Sequence, residues 1–274
     1  MNLSQSLQSA SLTDPGRVRD HNEDCIESRP EIGLFVLADG MGGYNAGEVA
    51  SGMATSLIAD GIQESWRPAD VARLGRDESK ALSEKLLLEH VGRANSAIFT
   101  TSQNNPECAG MGTTLVVCLF FDNFLTVAHI GDSRLYRLRG DAMEQVTRDH
   151  SLLQEQLDSG LITPEEAKLS QNKNLVTRAL GIDPSVDTEI HVYETQPDDT
   201  YLLCSDGLSD MVEDEEIRLT LITLKTNPSL TVQQLVQAAN DNGGRDNISA
   251  MLTRVVEPYG VPRGFLARLK ALFR

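Results

Sequence analysis

Residues 114–121, TLVVCLFF, and 124–130, FLTVAHI, are separated only by Asp122 and Asn123, and the reading of this stretch decides the fold. Two apolar runs of strand length set two residues apart predict a tight β-hairpin, hence antiparallel sheet. Outward from it, RLYRL (134–138) and a short strand around Glu144 to Val146 continue the meander. Residues 31–39, TYLLCSD (200–206) and ISAMLTRVV (248–256) read as further strands. Ala46 to Trp66 reads as a helix with Val49, Met53, Leu57 and Ile58 near helical spacing and Asn45 as a candidate cap, and a second helix is predicted from about Ala81 to Thr101. Between them, Pro68 and Gly75 mark residues 67–80 as a loop or an interruption. VEDEEIRLTLITL (212–224) and SLTVQQLVQAANDNG (229–243) are helical in pattern. Residues 149–181 form a polar, partly helical excursion suited to a lid, with Thr163 as cap and Pro164 at the first helical position. Strands and helices in alternating clusters, joined by hairpins, make this an α+β fold with helices covering sheet faces.

A chain of 274 residues with 40% hydrophobic content can fill a proper core, as one large domain or two small ones. The net charge of −16 argues against a nucleic-acid or anionic-membrane surface over the body of the protein. The opening MNLSQSLQSASLTD has neither the basic start nor the apolar stretch of a signal peptide, and no later run could span a bilayer, so a cytoplasmic protein is expected. Cys25, Cys108, Cys118 and Cys204 stand singly, which points to neither a zinc knuckle nor a redox pair; Cys118 and Cys204 fall in apolar runs and are expected in the core.

Four aspartates recur beside strand-like runs: Asp39 in FVLADGMGG, Asp132 in LTVAHIGDSR, Asp206 in YLLCSDGL and Asp246 in GRDNISAMLTRV. Any one of them reads most simply as a turn or cap residue. Four strand ends together can gather carboxylates at one rim of a sheet, where they repel unless cations neutralise them. Oxygen ligands without a matching His or Cys set suit Mg²⁺ or Mn²⁺. Two such ions can activate a water against phosphorus, with no protein nucleophile. GRVRDHNED (16–24) adds Arg19, whose guanidinium fork fits two phosphate oxygens, together with the acids Glu23 and Asp24. No phosphate-binding P-loop, no Cys-x₅-Arg loop and no G-x-S-x-G elbow is present, and GMGG lacks the third glycine of a dinucleotide fingerprint.

RVRDHNED, FVLADGMGGYNAGEVAS, MGTT, HIGDSRLYRL, VTRDHSLL, NLVTRALG, LLCSDGL and GRDNIS, in this order over residues 12–255, resemble the metal-dependent protein serine/threonine phosphatases of the type 2C (PPM) family in their bacterial form. The resemblance implies a four-layer α-β-β-α sandwich of two antiparallel sheets flanked by helices, with a binuclear Mn²⁺ or Mg²⁺ centre at one end. It implies that Asp39 bridges the two metals, that the Gly40 carbonyl joins one, and that Asp206 and Asp246 complete the other. Asp132, with Asp206, matches a weaker third metal site; Glu23 and Asp24 match acids lying near the metals through water; Arg19 matches the phosphate-binding arginine. Residues 149–181 correspond to the mobile flap. The implied substrates are phosphoproteins, and the implied counterpart is a Ser/Thr kinase. A catalytically silent module on the same fold and a small-molecule phosphatase are the rival readings. On this division, residues 1–11 are a polar leader, 12–256 the catalytic domain and 257–274 a basic amphipathic tail.

Two departures stand out. Tyr44 and Met41 occupy positions where family members carry a histidine proposed as proton donor to the leaving group, so protonation by a metal-held water is expected instead. The string KLSQNKN (168–174) lacks the His-Pro pair common in the flap. Of the histidines within motifs, His129 is expected as a hydrogen-bonded core residue and His150 as a residue orienting the flap. In the tail, RGFLARLKALFR (263–274) sets Phe265, Leu266, Leu269, Leu272 and Phe273 at helical spacing among Arg263, Arg268, Lys270 and Arg274, a pattern for weak docking on an anionic membrane or a partner, or for folding back on the acidic body.

Overall fold

The computed structural model describes residues 3–43, 46–163, 166–167 and 175–261. Two antiparallel sheets stack face to face. The first holds β1 (Leu7–Asp14), β7 (Arg134–Arg139), β8 (Ala142–Gln145), β10 (Thr200–Cys204) and β11 (Ile248–Val255), in the order β1-β11-β10-β7-β8. The second holds β2 (Asp24–Arg29), β3 (Leu34–Met41), β5 (Leu115–Phe121), β6 (Phe124–Ile130) and β9 (Glu189–Glu194), in the order β2-β3-β5-β6-β9, with the two-residue β4 (Gly112–Thr113) paired to the end of β3.

Helices cover the outer faces, giving the expected four layers. On the second sheet lie α1 (Ala46–Ser65), the single turn α2 (Pro68–Val71) and α3 (Arg76–Asn104); α4 (Leu152–Asp158) opens the 149–181 excursion; α5 (Asp206–Ser209), α6 (Asp214–Leu224) and α7 (Pro228–Asp241) belong to the first sheet. Among the described residues no helix is long and apolar enough to cross a membrane.

The alternation of side chains along each strand builds three cores from two sheets. In β5, Val116, Cys118 and Phe120 point between the sheets to meet Phe35, Tyr201 and Met251, whereas Leu115, Val117 and Leu119 meet Ile58, Leu87 and Ile98 of the covering helices. On the far side, Leu202, Cys204, Ala250 and Leu252 pack with Ile217, Leu221 and Leu235. Cys118 and Cys204 are fully buried thiols, as their apolar settings predict. The β5–β6 turn is the predicted hairpin, and Asp122 and Asn123 take φ of 47° and 60°, the left-handed pair that a two-residue turn matched to strand twist requires.

Several expectations are corrected. The stretch read as a polar leader is structural: Leu3 is buried, and Leu7 to Asp14 pair residue for residue with Val255 to Ile248. α3 begins at Arg76, five residues earlier than its apolar pattern suggests, because the Glu78 carboxylate caps the Gly75 N–H at 2.7 Å. In α1 the buried face is Ala46, Ala50, Ala54, Ile58 and Ile62, while Val49 and Leu57 are 38% and 42% exposed; small residues let the helix lie close to β3. Thr163 does cap, exchanging hydrogen bonds with Glu166, whereas Asn45, Pro164 and the 168–174 string lie outside the described residues.

Candidate active site

Every predicted site residue reaches the same end of the sandwich. Asp39 lies in the last turn of pairing of β3, directly opposite Asp24 at the start of β2. Asp132 lies where the chain crosses from β6 to β7, that is, from one sheet to the other; Asp206 opens α5 just after β10; Asp246 precedes β11.

The MGTT string holds Asp39 in place. The Asp39 carbonyl accepts from the Thr114 N–H at 2.8 Å and from the Thr113 hydroxyl at 2.8 Å, and its own N–H donates to Thr114 Oγ1 at 3.1 Å. Thr114 Oγ1 in turn meets Ser133 Oγ at 2.7 Å, so the turn carrying Asp132 is tied to the strand carrying Asp39. Gly40 lies so close to the Gly47 carbonyl at the start of α1 that any β-carbon would collide, which keeps its backbone free of side-chain cover. Asn247 performs the same service on the other sheet. Its Oδ1 accepts the Glu23 N–H at 2.8 Å and its Nδ2 donates to the carbonyls of Pro15 and His21, which fixes the 15–23 loop against Asp246. These threonines and Asn247 were quoted in motifs but given no role by sequence reasoning; their position beside each aspartate is the signal that could have found them.

The electrostatics are those of a crowded anion cluster. Burial, then repulsion from Asp24, Asp206, Asp132 and Asp246, drives the Asp39 carboxyl well above the usual range. Asp206 is pushed well up by burial and by Asp132, Asp210 and Asp246. Burial raises Asp24 to about 6 against the hydroxyls of Ser249 and Ser205, the latter bonded at 2.7 Å. Burial and the neighbouring Asp149 raise Asp132 to about 6. Glu23, half-buried against Gly47, is raised mainly by burial. One oxygen of Asp24, Oδ1, is buried without a hydrogen-bond partner. An orphan carboxylate oxygen within a cluster of purely oxygen donors fits a hard divalent cation, whose held water would satisfy the first and whose charge would relieve the second. Asp210 joins the cluster unforeseen.

Arg19 spans the cluster's mouth. Its Nη2 donates to Asp246 Oδ2 at 2.7 Å with 53% of the side chain exposed, so the guanidinium keeps free N–H groups facing solvent. The partner comes from the far end of the sequence, not from Glu23 or Asp24 four and five residues on. Arg19→Gln is expected to lower kcat/KM for a phosphopeptide by about 10- to 100-fold, the worth of a charge-assisted hydrogen bond, with Mn²⁺ stoichiometry unchanged; steady-state kinetics with calorimetric metal titration checks it.

A second group of potential ligands lies behind the Asp132 turn. Ligand atoms of His129, His150 and Glu189 lie within 4.8 Å of one another. The backbone N–H of Gly131 points at His150 Nδ1 (3.2 Å), so that nitrogen carries a lone pair and the proton sits on Nε2, facing Glu189 Oε2 at 3.3 Å. With its proton-free nitrogen already used, His150 serves as a clamp between the start of the 149–181 excursion and the sheet rather than a ligand. His129 is buried, stacks on His150 at 4.8 Å and bonds the Arg148 carbonyl at 2.9 Å, the core role expected of it.

Comparison with known proteins agrees with this geometry. Residues 18–253 match the family model described as protein phosphatase 2C. The serine/threonine phosphatase stp of Listeria innocua is 38% identical over 243 residues, covering 88% of this chain and 92% of that protein. The serine/threonine protein phosphatase PstP of Mycobacterium tuberculosis is 38% identical over 95% of this chain, which spans 48% of its length. Among solved structures, a PstP catalytic domain in complex with two manganese ions superposes with a TM-score of 0.79 at 37% identity, over 92% of this chain and 99% of that one. A carboxylate cluster assembled from both sheets, in a sandwich that overlays a two-manganese phosphatase along almost its whole length, establishes that this chain belongs to the protein phosphatase 2C family of metal-dependent serine/threonine phosphatases.

Proposed function

We propose that the chain removes phosphate from phosphoserine and phosphothreonine in proteins, opposing a Ser/Thr kinase in the cytoplasm, with Arg19 and the carboxylate cluster as its catalytic apparatus. The observation that carries this reading is the convergence of four other carboxylates on Asp39, with Arg19 bonded to one of them, Asp246. On this reading Asp39, the Gly40 carbonyl, Asp206 and Asp246 would hold two Mn²⁺ or Mg²⁺ ions with Asp39 common to both, Asp132 and Asp206 would hold a weaker third, and Glu23 and Asp24 would stand outside through water. When bound, such ions supply Lewis acidity and lower the pKa of the water they hold. Arg19 orients the phosphoryl group by offering a fork of N–H donors at the solvent side, and Asn247 keeps the Arg19 loop in register with Asp246. Met41, paired with Gly112 at the end of β3, has no proton to give, and Tyr44 lies outside the described residues.

The decisive assay compares p-nitrophenyl phosphate, a phosphothreonine peptide and a nucleotide in Mn²⁺. Hydrolysis of the first two with little on the nucleotide is the expected result; inertness towards all three in Mn²⁺ would return the fold to the silent-module reading, and preference for the nucleotide would make it a small-molecule phosphatase.

The tail from residue 262 onward lies outside the described residues, but its point of departure does not. Asn123 Oδ1 accepts the Tyr259 N–H at 2.7 Å and Asp122 Oδ1 the Val261 N–H at 2.6 Å, which pins the chain to the β5–β6 turn. That turn is the end of β5 remote from Thr113 and Asp39, about 20 Å away for a strand of this length. Deleting residues 262–274 is therefore expected to leave p-nitrophenyl phosphate turnover unaltered. Co-sedimentation with anionic vesicles, compared for the full chain and the deletion, separates membrane docking from folding back on the body: an unchanged partition removes the membrane role.

A further inference from the structure

Three arginines stand on the two adjoining loops that carry Arg19 and Asp246, and only Arg19 has a carboxylate partner. Arg17 lies two residues before it, and Arg245 immediately precedes Asp246, the residue Arg19 binds. Both are exposed, and neither side chain makes an ion pair or a hydrogen bond among the described residues. Their loops are laid side by side: the Arg17 N–H donates to the Gly244 carbonyl at 2.7 Å, and Gly16 abuts the carbonyl of Asp246.

Between the two side chains lies a bare stretch of backbone. Gly243 and Gly244 take φ of 129° and 51°, a region that favours glycine. A β-carbon on Gly244 would come within 2.8 Å of Arg17 Cγ, and one on Gly243 within 3.8 and 3.9 Å of Arg245 Cγ and Nε. The absence of a side chain at Gly244 leaves room for the Arg17 stem, while a β-carbon on Gly243 would only touch Arg245 at ordinary contact distance.

Unpaired surface cations are ordinary, and a basic residue after a helix C-terminus such as that of α7 is favoured by the helix dipole. Neither account covers this pair. With 40 acids for 24 bases, a surface arginine in this chain readily finds a carboxylate. Among the described residues the other cations without an ion pair or ring contact, Arg67, Lys85 and Lys225, stand singly on α2's lead-in, α3 and the end of α6. Arg245 also bonds none of the last carbonyls of α7.

We propose that Arg17 and Arg245 form an anion subsite beside Arg19, which receives a second phosphate or a carboxylate side chain one to three residues from the phosphorylated residue, so that acidic or doubly phosphorylated segments are the favoured substrates. An extended peptide advances about 3.3 to 3.6 Å per residue, so a side chain one to three residues from the phosphorylated one lies on the order of 3 to 11 Å along the surface. A guanidinium fork accepts either anion, a phosphate more tightly through two parallel bonds. The subsite rests on the protein phosphatase reading above and deepens it.

The test uses the full chain with Mn²⁺ and three peptides of one sequence, carrying phosphothreonine flanked by alanine, by glutamate, or by a second phosphoserine. Wild type is expected to favour the anion-flanked peptides by about tenfold in kcat/KM, mostly through KM, with the preference shrinking as salt rises. In the double variant Arg17→Gln, Arg245→Gln the three peptides become equivalent, while p-nitrophenyl phosphate, too small to reach either side chain, is turned over as by wild type. A gain confined to phosphoserine assigns the subsite to phosphate, and an equal gain for glutamate assigns it to acidic residues generally. Equal kcat/KM for all three peptides in wild type, or a preference that survives in the double variant, overturns the subsite. Inertness of p-nitrophenyl phosphate and of every peptide instead overturns the phosphatase reading itself.

Discussion

Asp39→Asn is expected to lower Mn²⁺-dependent turnover by about a thousandfold while raising the melting temperature of the protein in chelator. Both effects follow from one fact: a partly buried carboxylate faces Asp24, Asp206, Asp132 and Asp246. Asparagine keeps the size of the side chain and one oxygen, and the hydrogen bonds that position residue 39 are made by its backbone to Thr113 and Thr114, so the strand stays in place. What disappears is the charge. In the absence of metal that charge is repelled by four neighbouring carboxylates, and its loss is expected to stabilise the fold. In the presence of metal it is the proposed bridge, and an amide oxygen cannot hold two dications together. Melting curves with and without Mn²⁺, measured beside kcat, separate this from simple misfolding. Wild-type turnover in the variant, or loss of activity accompanied by a lower melting temperature in chelator, would refute the assignment.

The same two-sided logic explains which parts of the fold could be read from sequence. β3, β5, β6, β10 and β11 lie inside their sheets with both faces covered, and each appears as a nearly unbroken apolar run. Of the strands that escaped notice, β1, β2 and β9 are sheet edges and β4 has only two residues. LQSASLTD shows only a weak alternation, since one face meets solvent and Ser, Gln and Thr occupy it. EIHVYE alternates Ile190 and Val192 with Glu189 and His191, too short a signal between loops. For the site, the aspartates were legible because each adjoins one of the central strands. Their supports were not: the Thr114–Ser133 hydroxyl pair and the Asn247 contacts join residues far apart in the chain, and no local pattern encodes a partner 224 residues away such as Glu23. Arg19 shows the same gap, since nothing local encodes its partner Asp246, which lies 227 residues away.

The stability of the metal-free protein is expected to fall as pH rises from about 4 to about 7, the reverse of a protein held by ordinary salt bridges. Asp24 and Asp132 are each raised to about 6 by burial and neighbouring acids, and Asp39 and Asp206 are raised further by the same causes. A carboxyl whose folded pKa lies above its unfolded value near 3.9 binds its proton more tightly in the native state. Between those two values the native chain holds more protons than the unfolded one, so unfolding becomes easier with each step upward in pH. For Asp24 alone the shift corresponds to on the order of 3 kcal/mol, fully felt above pH 6. Glu189 and Asp198 are shifted downward by His191 and Arg254 and act with the opposite sign, but Asp198 is exposed and its pairing is screened. Mn²⁺ at neutral pH should cancel the slope, because a cation bound only by the native state adds about 2.7 kcal/mol at a hundred times its dissociation constant and removes the reason for those carboxylates to hold protons. Thermal melts in chelator across pH 5 to 7.5, repeated in Mn²⁺, decide the matter. A chelated protein that grows steadily more stable over that range would show that the five aspartates are not the strained cluster their burial implies, and that the cation has no repulsion to relieve.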